Sequence, residues 1–149
     1  MDQDFMQLAL KEAEAAAARE EVPVGAVLAM GEEVLAKAGN RIVELKDPTA
    51  HAEILVLREA AQKLGNERLV GAKLFVTLEP CAMCAGAISF ARIGELIFAT
   101  DDPKGGAVFH GPKFFDQPTC HSRPQVRQLK GELAARASLL LKDFFRARR

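Results

Sequence analysis

The sequence predicts an α/β fold in which a single domain spans residues 1–149. Two observations support this prediction. Helix-type and strand-type hydrophobic patterns alternate along the chain, as they do where helices cover the faces of a sheet. The chain has 149 residues, of which 49% are hydrophobic, and this is enough to bury one substantial core.

In the first half of the chain, periodicity and end signals place a helix, a hairpin and a second helix. An Ala-rich segment of strong helix propensity begins the chain, and Asp2 or Asp4 can cap it. A turn at Gly31 separates two apolar strands. The predicted elements here are a helix to about Glu20, strands over residues 24–30 and 34–38, a loop over residues 39–50 and a helix that ends near Gly65.

The second half predicts three more strands, two more helices and a long loop. Residues 74–78 form a short continuous apolar run, which is typical of a buried strand. The loop over residues 101–122 contains Phe109, Phe114 and Phe115, and a loop of that length is usually functional. The predicted elements are a strand over 74–78, a helix to about Ala91, a strand over 95–100, a short strand over 126–129 and a helix over 132–148.

Charge is distributed unevenly along a chain whose net charge is zero. Residues 1–102 contain 10 basic and 17 acidic residues, whereas residues 103–149 contain 10 basic and 3 acidic residues. A basic flank of this kind suits a polyanion such as nucleic acid. A solvated basic helix explains the same pattern, so charge alone leaves both interpretations open.

Cysteine usage indicates a reducing compartment. The chain has three Cys, an odd number, and neither an apolar leader nor an apolar run of membrane length. We therefore expect a cytoplasmic protein without a membrane partner, and we expect Cys120 to be a free thiol.

The most informative motif joins His51 to Cys81 and Cys84. One imidazole and two thiolates suit tetrahedral Zn²⁺ and leave its fourth position open for water or substrate. Two Cys three positions apart at the start of a helix point the same way, so one ion can reach both. A helix N-terminus also favours the thiolate form. The pattern predicts one catalytic zinc ion.

Glu53 lies two positions after His51 and is the predicted proton shuttle. In a helix, positions i and i+2 point to different sides, so Glu53 approaches the metal by a different route from His51. Zn²⁺ with two thiolates and a neutral His is formally neutral and acidifies water less than a three-His site does. A neighbouring carboxylate base would compensate for this difference.

Two other interpretations of the motif remain open from spacing alone. A structural zinc site needs four protein ligands, and Cys120, His121 or His110 could supply the fourth. It would, however, leave Glu53 without a role. A redox pair of Cys81 and Cys84 would explain neither His51 nor Glu53.

The H-x-E…P-C-x-x-C pattern is that of zinc deaminases that act on nucleobases. The chain resembles the bacterial-type tRNA adenosine deaminases, which convert the wobble adenosine of a tRNA anticodon to inosine. The motifs that carry this resemblance are residues 23–27, 39–41, 47–54, 78–87, 102–107 and 143–146.

The resemblance implies a cytidine-deaminase-like three-layer α/β/α sandwich with a five-stranded mixed sheet. It also implies a homodimer that binds a tRNA anticodon arm and holds one Zn²⁺ per subunit. Residues implied to bind substrate are Asn40, which would read the base, Val24, Leu78 and Pro80, which would line the pocket, and Asp102 and Lys104 on a loop that contacts RNA.

Further RNA contacts are expected from the loop and from the C-terminus. The chain has no Trp or Tyr, so stacking on unpaired bases must come from Phe109, His110 or another Phe, His or Arg. Arg146, Arg148 and Arg149 could touch phosphate, although cations also suit the end of a helix. The alternative functions are a deaminase of a free base or nucleoside, of guanine or cytosine type, and a non-catalytic zinc-stabilised binding module.

Overall fold

The computed structural model describes residues 1–148 and contains five α-helices and five strands in that part of the chain. The ends of the predicted helices and strands differ from the observed ends by no more than two residues. In order, the elements are α1 (Asp2–Ala18), β1 (Gly25–Met30), β2 (Glu33–Gly39), α2 (Ile42–Leu45), α3 (Ala52–Leu64), β3 (Lys73–Leu78), α4 (Ala82–Phe90), β4 (Glu95–Thr100), β5 (Gln125–Gln128) and α5 (Glu132–Arg146).

The five strands form one mixed sheet in the order β2-β1-β3-β4-β5. β1 pairs antiparallel with both β2 and β3, whereas β3, β4 and β5 are mutually parallel. Parallel neighbours need a long crossover connection: β3 and β4 are joined through α4, whereas β4 and β5 are joined by a long loop with a short 3₁₀ turn. The predicted five-stranded mixed sheet is confirmed.

Alternation along the central strands sends side chains to two separate cores. On β1, Val27 and Ala29 face the core under α1 and α5, whereas Ala26 and Leu28 face the core under α3 and α4. A strand buried on both faces has to be apolar throughout, which explains the continuous hydrophobic runs in the sequence. Helices therefore cover both faces of the sheet, and the predicted three-layer sandwich is confirmed.

Three local features differ from the sequence prediction. Neither Asp2 nor Asp4 caps α1, because the cap position is Met1 and Asp2 instead binds Arg127 at 2.5 Å. The loop over residues 39–50 contains the four-residue helix α2. A 3₁₀ turn at Phe114–Asp116 interrupts the long loop between β4 and β5.

The fold brings the two metal-binding segments together. His51 is the N-cap of α3 and Cys81 is the N-cap of α4, and both helices pack on the same face of the sheet. β3 ends at Leu78, three residues before Cys81. The site therefore lies at the carboxyl end of β3, where ligands bind in open α/β sheets. None of the helices within residues 1–148 is long and apolar enough to cross a membrane.

Candidate metal centre and substrate pocket

His51, Cys81 and Cys84 form a compact cluster of potential metal ligands. Their ligand atoms all lie within 4.8 Å of one another. The Nδ1 atom of His51 is 3.7 Å from Sγ of Cys81 and 3.5 Å from Sγ of Cys84. The imidazole therefore presents Nδ1 to both thiols.

These distances fit a tetrahedral zinc ion. Zn–S bonds of about 2.3 Å and Zn–N bonds of about 2.0–2.1 Å, at tetrahedral angles, separate neighbouring donor atoms by roughly 3.5–3.8 Å. The separations between His51 and the two Cys fall in this range. The donor set and its spacing are thus those of a preformed metal site with room for a fourth ligand.

The two thiols differ in acidity because they interact with each other. The pKa of Cys81 is lowered to about 4, chiefly because Cys84 donates a hydrogen bond to it, with His51 contributing further. The same hydrogen bond and burial raise the pKa of Cys84. The hydrogen bond with Cys81 also raises the pKa of His51. A cation between the three groups would replace the protons that they now share.

Glu53 lies beside this cluster with its carboxyl group inside the protein. Only 4% of Glu53 is exposed, and its carboxyl group lies next to the Cys84 thiol. Burial raises the pKa of Glu53 to about 7. The side chain lines the same cavity as His51 and Cys81, so it can reach a molecule bound there without acting as a ligand itself.

The three candidates for a fourth ligand lie elsewhere. Cys120 is buried with its Sγ 3.4 Å from Oγ of Ser89, and it donates to the carbonyl oxygen of Ser122 at 3.2 Å. Nδ1 of His110 binds the Glu79 carboxylate at 2.8 Å, and His121 is exposed. Within residues 1–148, the ligand cluster contains His51, Cys81 and Cys84 only. The geometry therefore favours an open site over a closed structural one.

Replacing Cys120 with serine is expected to leave metal content and turnover nearly unchanged. The hydroxyl can keep the hydrogen bond to Ser122, and the thiol is not part of the metal cluster. Elemental analysis and an activity assay of Cys120→Ser, beside the wild-type protein, check this prediction. Loss of metal from this variant would support the structural four-ligand site instead.

A cavity of about 230 Å³ opens onto the metal cluster. This volume is below the range of about 300–1,000 Å³ that is typical for drug-sized ligands, and it suits a single small planar group. Of the residues predicted from sequence to bind substrate, Val24, Asn40, Leu78 and Asp102 line it, whereas Pro80 is buried outside the lining and Lys104 is exposed. The complete lining is Val22, Val24, Asn40, Ile42, His51, Glu53, Leu78, Glu79, Cys81, Asp102 and Gly105.

Asn40 is held in one orientation by contacts on its own side chain and main chain. Its Oδ1 accepts a hydrogen bond from the backbone N–H of Ala52 at 2.8 Å, at the first turn of α3. Its carbonyl oxygen accepts from Nη2 of Arg19 at 3.1 Å, and its N–H donates to Val24 at 3.1 Å. Because Oδ1 is occupied, the side-chain amide nitrogen is the group left to donate to a ligand in the cavity.

Sequence reasoning assigned no role to the lining residues Val22, Ile42, Glu79 and Gly105, and Glu79 is the ionisable one among them. Its side chain has no exposed surface, and it binds backbone N–H groups of the loop that follows β4. Burial alone would raise the pKa of Glu79, but these hydrogen bonds and the one from His110 outweigh burial and lower it. Its place between Leu78 and Pro80 in the motif is the only sequence signal that marks it.

The described residues predicted to contact RNA lie in two regions, the loop after β4 and the end of α5. Phe109 is 45% exposed and packs edge-on against Phe98, with ring centroids 5.1 Å apart. Arg146 is exposed and lies 3.6 Å from Asp143.

Arg148, the last described residue, contacts both α5 and the segment that follows α1. The guanidinium of Arg148 lies 3.4 Å from the ring centroid of Phe144, donates to the carbonyl oxygen of the same residue and pairs with Glu20. Arg148 is therefore partly engaged in ending α5. Arg149, the third predicted phosphate contact at the C-terminus, lies outside the described residues.

Comparison with known proteins agrees with this fold. The model of the MafB19-like deaminase family matches residues 1–149. The tRNA-specific adenosine deaminase of Agrobacterium fabrum is 56% identical over 145 residues, which cover 97% of this chain and 94% of that protein. A solved structure from work on A-to-I editing by tRNA deaminases at the wobble position superposes with a TM-score of 0.89 at 55% identity, covering 93% of this chain and 99% of that one.

A guanine deaminase from Nitrosomonas europaea is more distant. It superposes with a TM-score of 0.72 at 24% identity, covering 94% of this chain and 82% of that one, and this likeness shows the shared fold alone. The fold and the His/Cys/Cys cluster define a deaminase with the cytidine-deaminase-like architecture. Within that class, the chain belongs to the family of tRNA-specific adenosine deaminases.

Proposed function

We propose that the protein hydrolyses the wobble adenosine of a tRNA anticodon to inosine and releases ammonia. One observation supports this most strongly. In a chain 56% identical to a tRNA-specific adenosine deaminase, one base-sized cavity is lined by His51 and Cys81 of the metal cluster, by Glu53 and by Asn40. These are the groups that hydrolytic deamination of a base requires.

The proposed metal is one Zn²⁺ per subunit, held by Nδ1 of His51 and the thiolates of Cys81 and Cys84. The donor spacing described above supports this choice. When bound, zinc supplies a Lewis acid that lowers the pKa of a water molecule toward neutrality.

Glu53 moves the protons in the proposed reaction. Its carboxylate takes a proton from the attacking water and gives it to the ring nitrogen next to the carbon that bears the amino group. It then takes the remaining proton of the added hydroxyl group and delivers it to the amino group, which leaves as ammonia. Adenosine and water are thereby converted to inosine and ammonia, and Glu53 returns to its starting state.

Asn40 is proposed to orient the base through its side-chain amide nitrogen. Oδ1 is fixed by Ala52, so the amide cannot rotate without losing that hydrogen bond. Val24 and Leu78 supply apolar walls on which the ring can pack. Pro80 lies behind this wall, and its carbonyl oxygen accepts a hydrogen bond from the backbone N–H of Ala107.

The variant Asn40→Asp is expected to weaken catalysis by roughly 10–100-fold in kcat/KM. The aspartate keeps the acceptor for Ala52 but replaces the donor with an acceptor, and an unpaired buried polar group costs about 1–3 kcal/mol. The matched control is Asn66→Asp, since Asn66 also accepts a backbone N–H through Oδ1 but is exposed. Equal kcat/KM in Asn40→Asp and the wild-type protein would contradict the assignment.

The anticodon arm is proposed to lie against the loop after β4 and the C-terminal end of α5. Asp102 lines the cavity, Lys104 is exposed on the same loop, and Phe109 is a partly exposed aromatic side chain on which an unpaired base can stack. The basic balance of residues 103–149 supports contact with phosphate. Arg146 and Arg149 are the proposed terminal contacts, with Arg148 beside them.

Replacing Arg146 with alanine tests the terminal contact. If Arg146 touches one phosphate, the slope of log affinity against log salt for an anticodon stem-loop decreases by about 0.7. The control Arg136→Ala removes a cation from the same helix, where it lies 3.7 Å from Glu14. An unchanged slope in Arg146→Ala would show that this arginine only complements the end of the helix.

The nearest alternative is a deaminase of a free base, because the residues around the metal would be the same. The identity of 56% to a tRNA-specific enzyme, against 24% to a guanine deaminase, favours the tRNA substrate. Purified protein can be offered anticodon stem-loops with adenosine or cytidine at the wobble position, and free guanine. We expect inosine from the first substrate and no product from the others.

We further propose that residues 1–149 form one domain that acts as a homodimer in the cytoplasm, where tRNA is found. An exposed apolar surface on α3 and α4 supports the dimer: Phe90 is 76% exposed beside a cleft of about 360 Å³ that Ile54, Leu57 and Ala87 help to line.

A further inference from the structure

We infer that Glu79 is a positioning residue that holds the loop over residues 102–110 in the shape that receives RNA. The loop carries Asp102 at the wall of the cavity and Phe109 at the surface. This inference rests on the proposed function. It means that the affinity for RNA depends on a carboxylate that touches neither the base nor the metal.

The Glu79 carboxylate accepts hydrogen bonds from both ends of the loop. Oε1 accepts from the N–H of Asp102 at 2.9 Å and binds Nδ1 of His110 at 2.8 Å. Oε2 accepts from three consecutive backbone N–H groups, those of Val108, Phe109 and His110, at 3.1, 2.8 and 3.1 Å. One buried side chain thus satisfies four backbone donors and one imidazole.

Three consecutive N–H groups that converge on one oxygen form an anion-binding nest. In many proteins such a nest receives a phosphate group. Here Glu79 supplies the anion from within the chain, so these amides are not available to the RNA backbone. Their role is to shape the loop, and contact with RNA falls to the side chains of the loop.

Gly106 allows the loop to approach the carboxylate this closely. A Cβ atom at Gly106 would lie 2.4 Å from the carboxyl carbon of Glu79 and 2.6 Å from the carbonyl oxygen of Asp102. Any side chain at this position would therefore push the loop away from Glu79. Gly106 on the loop and Glu79 at the end of β3 therefore act together to hold the loop in place.

Asp102 connects the hydrogen bonds of Glu79 to the wall of the cavity. Glu79 fixes the N–H of Asp102, and Oδ1 of Asp102 accepts from the N–H groups of Lys104 and Gly105 at 3.2 and 3.0 Å. Asp102 and Gly105 both line the cavity. Release of the loop would therefore open one wall of the cavity and move Lys104, while His51, Cys81 and Glu53 would stay on α3 and α4.

The test compares Glu79→Gln and Gly106→Ala with two controls. Glutamine keeps the size of the side chain. In either orientation of its amide, however, the NH₂ group faces backbone N–H groups and cannot accept their hydrogen bonds. Gly106→Ala displaces the loop from the other partner. Glu95→Gln removes a carboxylate that binds Arg127, and Gly94→Ala adds a methyl group no closer than 3.4 Å to its neighbours, both at the opposite end of β4.

In both test variants, the KM for an anticodon stem-loop is expected to rise by about tenfold or more, because ordering the loop becomes part of binding. The rate constant at saturating RNA should stay within about threefold of wild type, with full metal content. The backbone amides of Val108, Phe109 and His110 should exchange with solvent at least about tenfold faster. Both control variants should match the wild-type protein in KM, in the rate constant at saturating RNA and in amide exchange.

An unchanged KM in both variants, with the wild-type protein active and the loop amides exchanging faster, would overturn the inference. Loss of metal from Glu79→Gln with an unchanged KM in Gly106→Ala would also overturn it and would assign Glu79 to the metal centre. A wild-type protein that converts no adenosine would instead contradict the proposed function.

Discussion

Replacing Glu53 with alanine is expected to lower turnover by at least about 10²–10⁴-fold, which is the usual contribution of general acid–base catalysis. Glu53 is the carboxyl group that lines the cavity beside His51 and Cys81, and it is proposed to carry both protons of the reaction. Because it is not proposed as a ligand, Glu53→Ala should keep its zinc and its fold.

The measurement is single-turnover deamination of an anticodon stem-loop, with elemental analysis of the same sample. The matched control is Glu59→Ala on the same helix, where the carboxylate is exposed and pairs with Lys63 at 2.9 Å. The control should match the wild-type rate. Loss of stoichiometric zinc from Glu53→Ala would show that Glu53 is a ligand and that its assignment as proton shuttle is wrong.

Replacing Cys84 with alanine is expected to remove metal and turnover together. Cys84 is fully buried, with its Sγ 3.5 Å from Nδ1 of His51, and two protein ligands hold zinc far less well than three. Activity should fall to background, since the proposed zinc ion would activate the water.

Zinc content and turnover of Cys84→Ala should be measured beside Cys120→Ser, which removes a buried thiol outside the cluster. Cobalt in place of zinc gives the wild-type site an absorption spectrum that should shift when small anions replace the water at the open position. Full metal content in Cys84→Ala would exclude Cys84 as a ligand. A cobalt spectrum insensitive to anions would indicate a closed structural site.

The metal cluster could be predicted from sequence because the spacing of nearby residues brings two of its three ligands together. A Cys-x-x-Cys pair at the start of a helix brings two thiols together whatever surrounds it. The sequence predicts that a helix follows the loop over residues 39–50, and His51 is the N-cap of that helix, α3. Glu53 was expected to approach from a different side, and it lines the cavity from the first turn of α3.

The features that sequence did not predict depend on distant partners. Helix α2 has only four residues, and the buried carboxylate of Glu21 binds the N–H groups of Val43 and Glu44 in it. A helix so short has little local signal, since isolated short helices are unstable in water. The cap expected from Asp2 is absent because Arg127, far along the chain, takes its carboxylate.

At the site itself, the role of Glu79 was not predictable from sequence for the same reason. Its partners lie 23 to 31 residues further along the chain, so no periodicity or local motif could indicate that it shapes the loop. Arg148 is similar, since its partner Glu20 lies 128 residues away. The sequence predicts side chains that do chemistry better than side chains that hold a loop in place.

The most direct test of the proposed activity is deamination in water enriched in heavy oxygen. Zinc-loaded protein is incubated with an anticodon stem-loop that carries adenosine at the wobble position, and the nucleosides are analysed by mass spectrometry. The proposed reaction predicts inosine that contains one heavy oxygen atom, with one ammonia released for each inosine formed. Unchanged adenosine, or inosine whose oxygen does not come from water, would contradict hydrolytic deamination by this protein.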